Sequence, residues 1–334
     1  MSSATPSAPT PYHTEPLLIG DEEIRAGQHK VVRLPVGQLP SGTEIALHAH
    51  VYRGLKPGPG LLLLGGVHGD EINGIEIVRR CIKNGLLDSI EAGTVIAVPL
   101  LNIYGFINFS RDVPDGKDVN RAFPGTTSGS LASRVAGALY KSLLPFVDMG
   151  IDFHTGGRGT YNYPQIRYEA ADERAFEMAA VFAAPIMVAG KPPAKSLRRV
   201  AHKNLGKSIL TYEGGENLRY DGLSIERALL GVHRILTHYG FMPPADPLPA
   251  VAIRRFSRSS WVRAGRAGLF QWYKSSGNVV RKGEPLGVIC DPTGVANDKR
   301  ILCPKKGFII GHANSAVVSQ GDALFHVGIA GEEE

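Results

Sequence analysis

The sequence predicts an α/β fold: a largely parallel sheet with helices on both faces, followed by a smaller all-β domain. Three observations carry this reading. Up to Gly240, short apolar runs alternate with segments of helical periodicity. Then "FMPPADPLPA", with four prolines, interrupts the pattern as a linker. From about residue 252 no long helical pattern returns, and short strand-like runs alternate with glycine turns. Two of those runs, "GNVVRKGEPLGVI" and "AVVSQGDALFHVG", share paired valines, two further residues, a glycine and an apolar stretch. This weak internal repeat suggests a β domain of two related halves. The expected organisation is a flexible tail over 1–25, a main domain over 26–242, a linker over 243–252 and a β domain over 253–330.

The elements follow in order. "KVVRLPVGQL" and "EIALHAHVYRG" read as strands, the second with period-two alternation that puts His48 and His50 on one face. Two histidines at that spacing can bind a metal, but a solvated strand face is the simpler reading. "GLLLLGG" is a continuous apolar run, as expected of a central strand covered on both sides, and Gly65 and Gly66 allow a tight turn after it. "EINGIEIVRRCIKNGLL" has helical spacing at Ile72, Ile75, Val78 and Ile82. "GTVIAVPLLN" is a buried strand, and "GSLASRVAGALYKSLLPFV" a helix capped by Ser128 or Ser130. "DMGIDFHTGG" is a strand ending in a glycine turn. The helix "ADERAFEMAAVFAA", the strand "PIMVAG", the helix "SLRRVAHKNLG", the strand "KSILTYEGGE" and the long helix "SIERALLGVHRILTHYG" complete the main domain.

Composition narrows the function. A net charge of +6 over 334 residues is a modest excess, and Lys and Arg are scattered, so nucleic acid is not the expected partner. Small anionic substrates suit the same balance. Cys81, Cys290 and Cys303 are odd in number, far apart and form no C-x-x-C pair, which argues for free thiols in a reducing cytosol. The N-terminal "MSSATPSAPTPYHTEP" has no apolar core and reads as a disordered tail, not a secretory signal. No apolar run approaches the ~20 residues that span a bilayer, so no membrane association is expected. The expected setting is cytoplasmic.

The chemistry-bearing residues gather at strand ends. Ligands of open parallel sheets bind beyond the C-terminal ends of the strands. His68 follows one buried strand, with Glu71 three residues on. His154 follows a second in "DFHTGG", Glu213 ends a third in "TYEGGE", and Asn102 ends a fourth in "VPLLN". Singly, His68 and Glu71 read equally well as a buried histidine and a charged helix start. Together, the four strand ends favour a site. Two histidines and one carboxylate leave a position open on zinc, the composition of a catalytic centre, and Glu213 would be its general base. No G-x-S-x-G elbow is present, and "GGVHGDEING" lacks the lysine of a phosphate loop. The polar segment "SRDVPDGKDVNRAFPG" carries Arg111 and Arg121, which fit either a solvated loop or an anion clamp. As a clamp, a guanidinium fork holds a carboxylate, Asn120 adds a neutral donor, and a second arginine stabilises an oxyanion.

"GGVHGDE", "PDGKDVNRAFPG", "DFHTGG" and "TYEGGE", in that order, resemble the succinylglutamate desuccinylase/aspartoacylase family, a branch of the zinc carboxypeptidase superfamily, and within it the predicted deacylases. The resemblance covers about residues 30 to 240. It implies a mixed sheet flanked by helices and one catalytic zinc per chain held by His68, Glu71 and His154. It further implies Glu213 as general base and later acid, Asn120 and Arg121 on the substrate's α-carboxylate, and Arg111 as oxyanion stabiliser. Arg111 stands two residues further from the Asn-Arg pair than in aspartoacylases. Glu216 rivals Glu213, but the strand end lies nearer the metal. Arg167 and Arg198 fall on the substrate side, where they either contact an acyl group or second carboxylate or remain solvated.

"VRAGRAGLF", "GNVVRKGEPLG" and "CPKKGFIIG" resemble a biotinyl/lipoyl barrel-sandwich. Lys305 and Lys306 lack the flanking methionine of a carrier hairpin, so the domain is expected to cover the crevice, limit substrate size or contact another copy of the chain. The function expected is zinc-dependent cleavage of the amide C–N bond of a small anionic N-acyl amino acid. The alternatives are a zinc carboxypeptidase acting on a short peptide or peptidoglycan fragment, and a non-catalytic protein with a degenerate zinc site. Homo-oligomerisation stays open.

Overall fold

Apolar runs become central strands because both of their faces are covered. The computed structural model describes residues 15–244, 246 and 248–329. A hairpin of β1 (Leu17–Ile19) and β2 (Glu22–Ile24) precedes β3 (His29–Gln38), β4 (Glu44–Arg53) and β5 (Lys56–Gly65). Helix α1 (Ile72–Lys83) leads to β6 (Ala92–Val98), and α2 (Ile103–Ile107) and α3 (Leu131–Ser142) to β7 (Met149–Gly156). Then come β8 (Thr160–Tyr168), α4 (Glu173–Phe182), β9 (Ile186–Ala189), α5 (Leu197–Leu205), β10 (Ser208–Glu216) and α6 (Gly222–His238). The C-terminal region contains β11 (Arg254–Phe256), β12 (Arg258–Arg263), β13 (Gly268–Trp272), β14 (Val279–Val280), β15 (Pro285–Cys290), β16 (Lys299–Leu302), β17 (Gly307–Ala313), β18 (Val317–Val318) and β19 (Ala323–Ile329).

Strands β6, β5, β7 and β10 are parallel neighbours at the centre of a mixed sheet. Strands β4 and β3 extend it antiparallel beyond β6, and β8 runs antiparallel beside β10. Period-two alternation divides the leucine run between two cores. Leu62 and Leu64 pack with α3 and α5, while Leu61 and Leu63 pack with α1, α4 and α6. Each buried leucine contributes about 1.5–3 kcal/mol, so a strand with no solvent face suits this position. Ser130, not Ser128, caps α3, its hydroxyl accepting from the Ser133 amide. His48 is exposed and His50 half-buried against His29, as a solvated strand face requires.

Three features differ from the sequence-based expectation. Within the span 1–25 expected as a tail, residues 17–24 form a hairpin in which Leu17 and Ile24 pair and are buried; residues 1–14 lie outside the described residues. Strand β8 was not expected, because Pro164 interrupts it. Its first residues pair with β17 and its last with β9, so the proline falls between two edge partners and no ladder bond is lost there. The third difference is continuity. The C-terminal region has its own four-stranded antiparallel sheet, β16-β15-β13-β18, but β17, β19 and β12 continue the main sheet outward from β8. Residues 243–253 carry no helix or strand among those described.

The turn after β5 has no spare space. Gly66 has a φ of 62°. A Cβ on Gly65 would stand 2.5 Å from the Gly74 carbonyl oxygen and 2.7 Å from that of Pro99. Both are backbone atoms and cannot swing aside. Gly65→Ala is expected to destabilise the fold by about 1–3 kcal/mol. Urea unfolding should give a lower midpoint with an unchanged slope; a midpoint equal to that of the parent protein would contradict this packing.

Candidate metal centre and substrate pocket

Adjacent parallel strands deliver the cluster. Gly65 of β5 pairs with Phe153 of β7, so His154 stands at the same sheet end as the turn carrying His68. Glu71 is the residue before α1 and caps nothing with its side chain, so its carboxylate is free to face the site. Glu71 Oε1 lies 2.8 Å from His68 Nδ1, and Glu71 Oε2 lies 2.8 Å from His154 Nδ1. The two Nδ1 atoms are 3.1 Å apart. All three residues are buried, with ligand atoms within 4.8 Å of one another.

The outer ring nitrogens identify what this cluster can hold. His154 Nε2 is 2.8 Å from Asp152 Oδ2, and His68 Nε2 is 3.2 Å from Asp118 Oδ1. A carboxylate on the far nitrogen fixes the tautomer and turns the Nδ1 lone pair inward, the arrangement typical of a metal-bound histidine. Two inward ring nitrogens and a carboxylate, with ligand atoms gathered this closely, suit a cation. Burial alone would push both histidines down. It is outweighed at His68 by the charge of Glu71 and the bonds to Asp118 and Glu71, and at His154 by the charges of Asp152 and Glu71. Both are raised, His154 well above the usual histidine value. Burial would also raise Glu71, yet the two histidines hold it well below the usual carboxylate range.

Arg111 closes one side. Its Nη2 and Nε donate to Asp118 Oδ2 at 2.9 and 3.3 Å, and its Nη1 to Glu71 Oε1 at 3.2 Å. Burial opposes its charge, but Glu71, Asp118 and Glu213 together raise its pKa. Asn120 and Arg121 lie in a 3₁₀ turn, Val119–Arg121, started by Asp118. The Leu197 amide donates to Asn120 Oδ1 at 2.9 Å, which leaves the amide nitrogen of Asn120 as the group that can donate to a ligand.

A cavity of about 300 Å³ opens from the cluster, and nine of the sequence-derived candidates line it: His68, Glu71, Arg111, Asn120, Arg121, His154, Arg167, Arg198 and Glu213. Glu213 Oε2 accepts from Asn162 Nδ2 at 2.8 Å, and Glu213 Oε1 is 3.3 Å from Arg167 Nη1. Arg198 Nε and Nη1 are buried with no hydrogen-bond partner. Burial first, then the charge of Arg167, pushes its pKa down to about 10. Glu216 does not line the cavity; Asn314 Nδ2 donates to its Oε2 at 2.7 Å. Asn102, expected to converge on the crevice, serves the scaffold instead. It accepts from the Gly105 amide at 2.9 Å and donates to the Arg111 carbonyl at 3.2 Å.

A match to the family model "Succinylglutamate desuccinylase/Aspartoacylase catalytic domain" extends over residues 57–239, more than half of the chain. The chain belongs to the succinylglutamate desuccinylase/aspartoacylase family. N-alpha-acetyl-L-2,4-diaminobutyric acid deacetylase of Halomonas elongata is 28% identical over 320 residues, covering 91% of this chain and 92% of the relative. A succinylglutamate desuccinylase/aspartoacylase from Rhodobacter sphaeroides superposes with a TM-score of 0.80 at 27% identity, covering 91% and 96% of the two chains. The product-bound ectoine utilization protein EutE (DoeB) from Ruegeria pomeroyi has the same fold, with a TM-score of 0.82 at 23% identity over 95% and 99%. The likeness in fold to the Rhodobacter sphaeroides structure thus extends beyond the residues matched by the family model.

Four pocket or support residues were not found from the sequence. Asp152 precedes His154 by two, hence on the same strand face, and the D-x-H spacing was an available signal. Asp118 sits inside the polar loop, where nothing distinguishes it from its neighbours. Asn162 lies on the unexpected β8. Trp261, in the C-terminal region, lines the cavity with its indole stacked on His326 at 4.4 Å. No local pattern announces either contact.

Asp152→Asn removes the charge that orients His154. Divalent-metal affinity is expected to fall about 10–100-fold, measured by competition with a chromophoric chelator; an unchanged Kd would exclude the orienting role. The raised histidines add a pH dependence. A ligand histidine must be neutral, so at neutral pH metal binding must displace a proton from His154. Affinity should therefore climb as pH rises from mildly acidic to mildly alkaline. Titration calorimetry in buffers of different ionisation enthalpy should detect proton release.

Proposed function

We propose that this chain is a zinc-dependent amidohydrolase that removes the acyl group from a small N-acyl amino acid or related amide. The observation that carries the reading is one cavity lined by the His68–Glu71–His154 group, the Glu213 carboxylate and four arginines. The donor set suits zinc, and when bound there zinc supplies Lewis acidity that polarises an amide carbonyl and acidifies water. Asn120 and Arg121 hold the substrate's α-carboxylate. Arg111, fixed by Asp118, faces the charge that develops on the carbonyl oxygen. Glu213 takes a proton from water and passes it to the departing amine. Arg167 and Arg198 meet a further anionic group of the substrate, and the unpartnered nitrogens of Arg198 are the natural place for one.

The Halomonas relative, named for deacetylation of an N-acetylated amino acid, supports this class of reaction. A cavity of about 300 Å³ with Trp261 as one wall favours a small substrate over the peptide of a carboxypeptidase. The required partners are then one zinc ion and one anionic small molecule, and the unpaired Cys81, Cys290 and Cys303 suit a cytoplasmic setting.

His68→Ala should lose both zinc and activity. Glu213→Gln should keep zinc and lose about 10²–10⁴ in kcat, followed by amine release from a panel of N-acyl amino acids alongside short peptides. Full turnover by Glu213→Gln, or release of C-terminal residues from peptides alone, would overturn the reading.

A further inference from the structure

We infer that the C-terminal β region sets the position of Glu213 through Gly311 and Asn162, making Asn162 a positioning residue for the proposed base. The inference rests on the reading of Glu213 given above. Strand β17 pairs with β8 through Gly311↔Asn162, His312↔Tyr161 and Ala313↔Thr160. On its other edge Asn162 pairs with Gly215, just past a register shift that begins at Glu213. Asn162 is therefore clamped by backbone on both sides, and it is only 5% exposed. Its side chain is constrained at both ends as well. The nitrogen donates to Glu213 Oε2 at 2.8 Å. The oxygen lies against Gly311, where a Cβ would approach to 2.7 Å. Glycine at 311 leaves the room that the amide needs.

The consequence for the base is atomic. Asn162 occupies Oε2 and fixes the carboxylate plane. Among the described residues Oε1 is ion-paired to Arg167, whose Nη1 lies 3.3 Å away. An anionic substrate group that draws Arg167 towards itself leaves Oε1 as the acceptor, so Oε1 is the atom that takes the proton from water and returns it to the amine nitrogen.

The test is a pair of double-mutant cycles on the full-length, zinc-loaded chain with an N-acyl amino acid substrate. Asn162→Asp is nearly isosteric but replaces the donor with a repelling acceptor. It should lower kcat by about a hundredfold with KM little changed, while zinc content stays at the parent value and the unfolding midpoint falls, because a second carboxylate is then buried against Glu213. On the residual rate of Glu213→Gln, Asn162→Asp should cost nothing further. Gly311→Ala, in the C-terminal region, should lower kcat by about tenfold and add no loss to Asn162→Ala. Additive losses in either cycle, or Asn162→Asp at parental kcat while Glu213→Gln is inactive, would overturn the positioning role alone. A fully active Glu213→Gln would overturn the assignment of the base, and this inference with it.

Discussion

The buried Glu71 carboxylate, shared between two histidines, is the interaction on which the rest of the site depends. An ionised carboxylate taken out of water costs several kcal/mol unless its oxygens are satisfied. Here Oε1 faces His68 and Arg111, and Oε2 faces His154 and the Thr155 amide. The parallel pairing of β5 and β7, the glycine turn after β5 and the start of α1 all serve to bring those partners to one point. The tolerance is small, because the turn is packed backbone against backbone. Gly69 in the same loop would place a Cβ 2.0 Å from the Gly105 carbonyl carbon and the Phe106 amide nitrogen.

Charge counting shows that a divalent cation would suit this cluster. Glu71, Asp118 and Asp152 face one permanent cation, Arg111, which leaves an excess of two negative charges. Two histidine protons can cancel it, which is why both histidines are raised despite complete burial. One divalent cation cancels it equally well and leaves the imidazoles neutral, as ligands must be. The cavity beyond has the opposite character. Arg121, Arg167 and Arg198 lie there, and Glu213 is ion-paired to Arg167. A cation at the cluster and an anion in the cavity is the distribution that this electrostatic division favours.

What was legible in the sequence had a local cause. The leucine run, the helical spacings and the strand-end residues His68, His154 and Glu213 each follow from periodicity over a few residues, and the motif order gave their grouping. Strand β8 was hidden because its identity comes from its neighbours: Pro164 is tolerated only since two different strands share that edge. The hairpin at 17–24 was hidden for a similar reason, its strands being three residues each. Asp118, Asn162 and Trp261 act through contacts with residues far away in the chain, and their surroundings in the sequence are ordinary. Asn102 misled because a strand-end asparagine can turn to the backbone as readily as to a ligand.

The proline linker read as a boundary, yet the pocket ignores it. Trp261 enters from beyond the linker and rests on His326, its direct partner across β12 and β19. His326 is pushed down to about 3, by burial first and then by the charge of Arg167. It therefore stays neutral throughout the physiological range and gives the indole an uncharged face to stack on beside a guanidinium. The arrangement has a cost, since His326 Nδ1 is buried without a partner. That cost is intelligible if the wall matters more than the lost hydrogen bond. Without β17, residues 160–162 of β8 would also present an open strand edge beside the proposed base. The C-terminal region is thus better understood as the outer part of the main sheet than as an appendage. Its effect on the reaction should be sought in the placement of side chains on β8, not in a separate chemistry of its own.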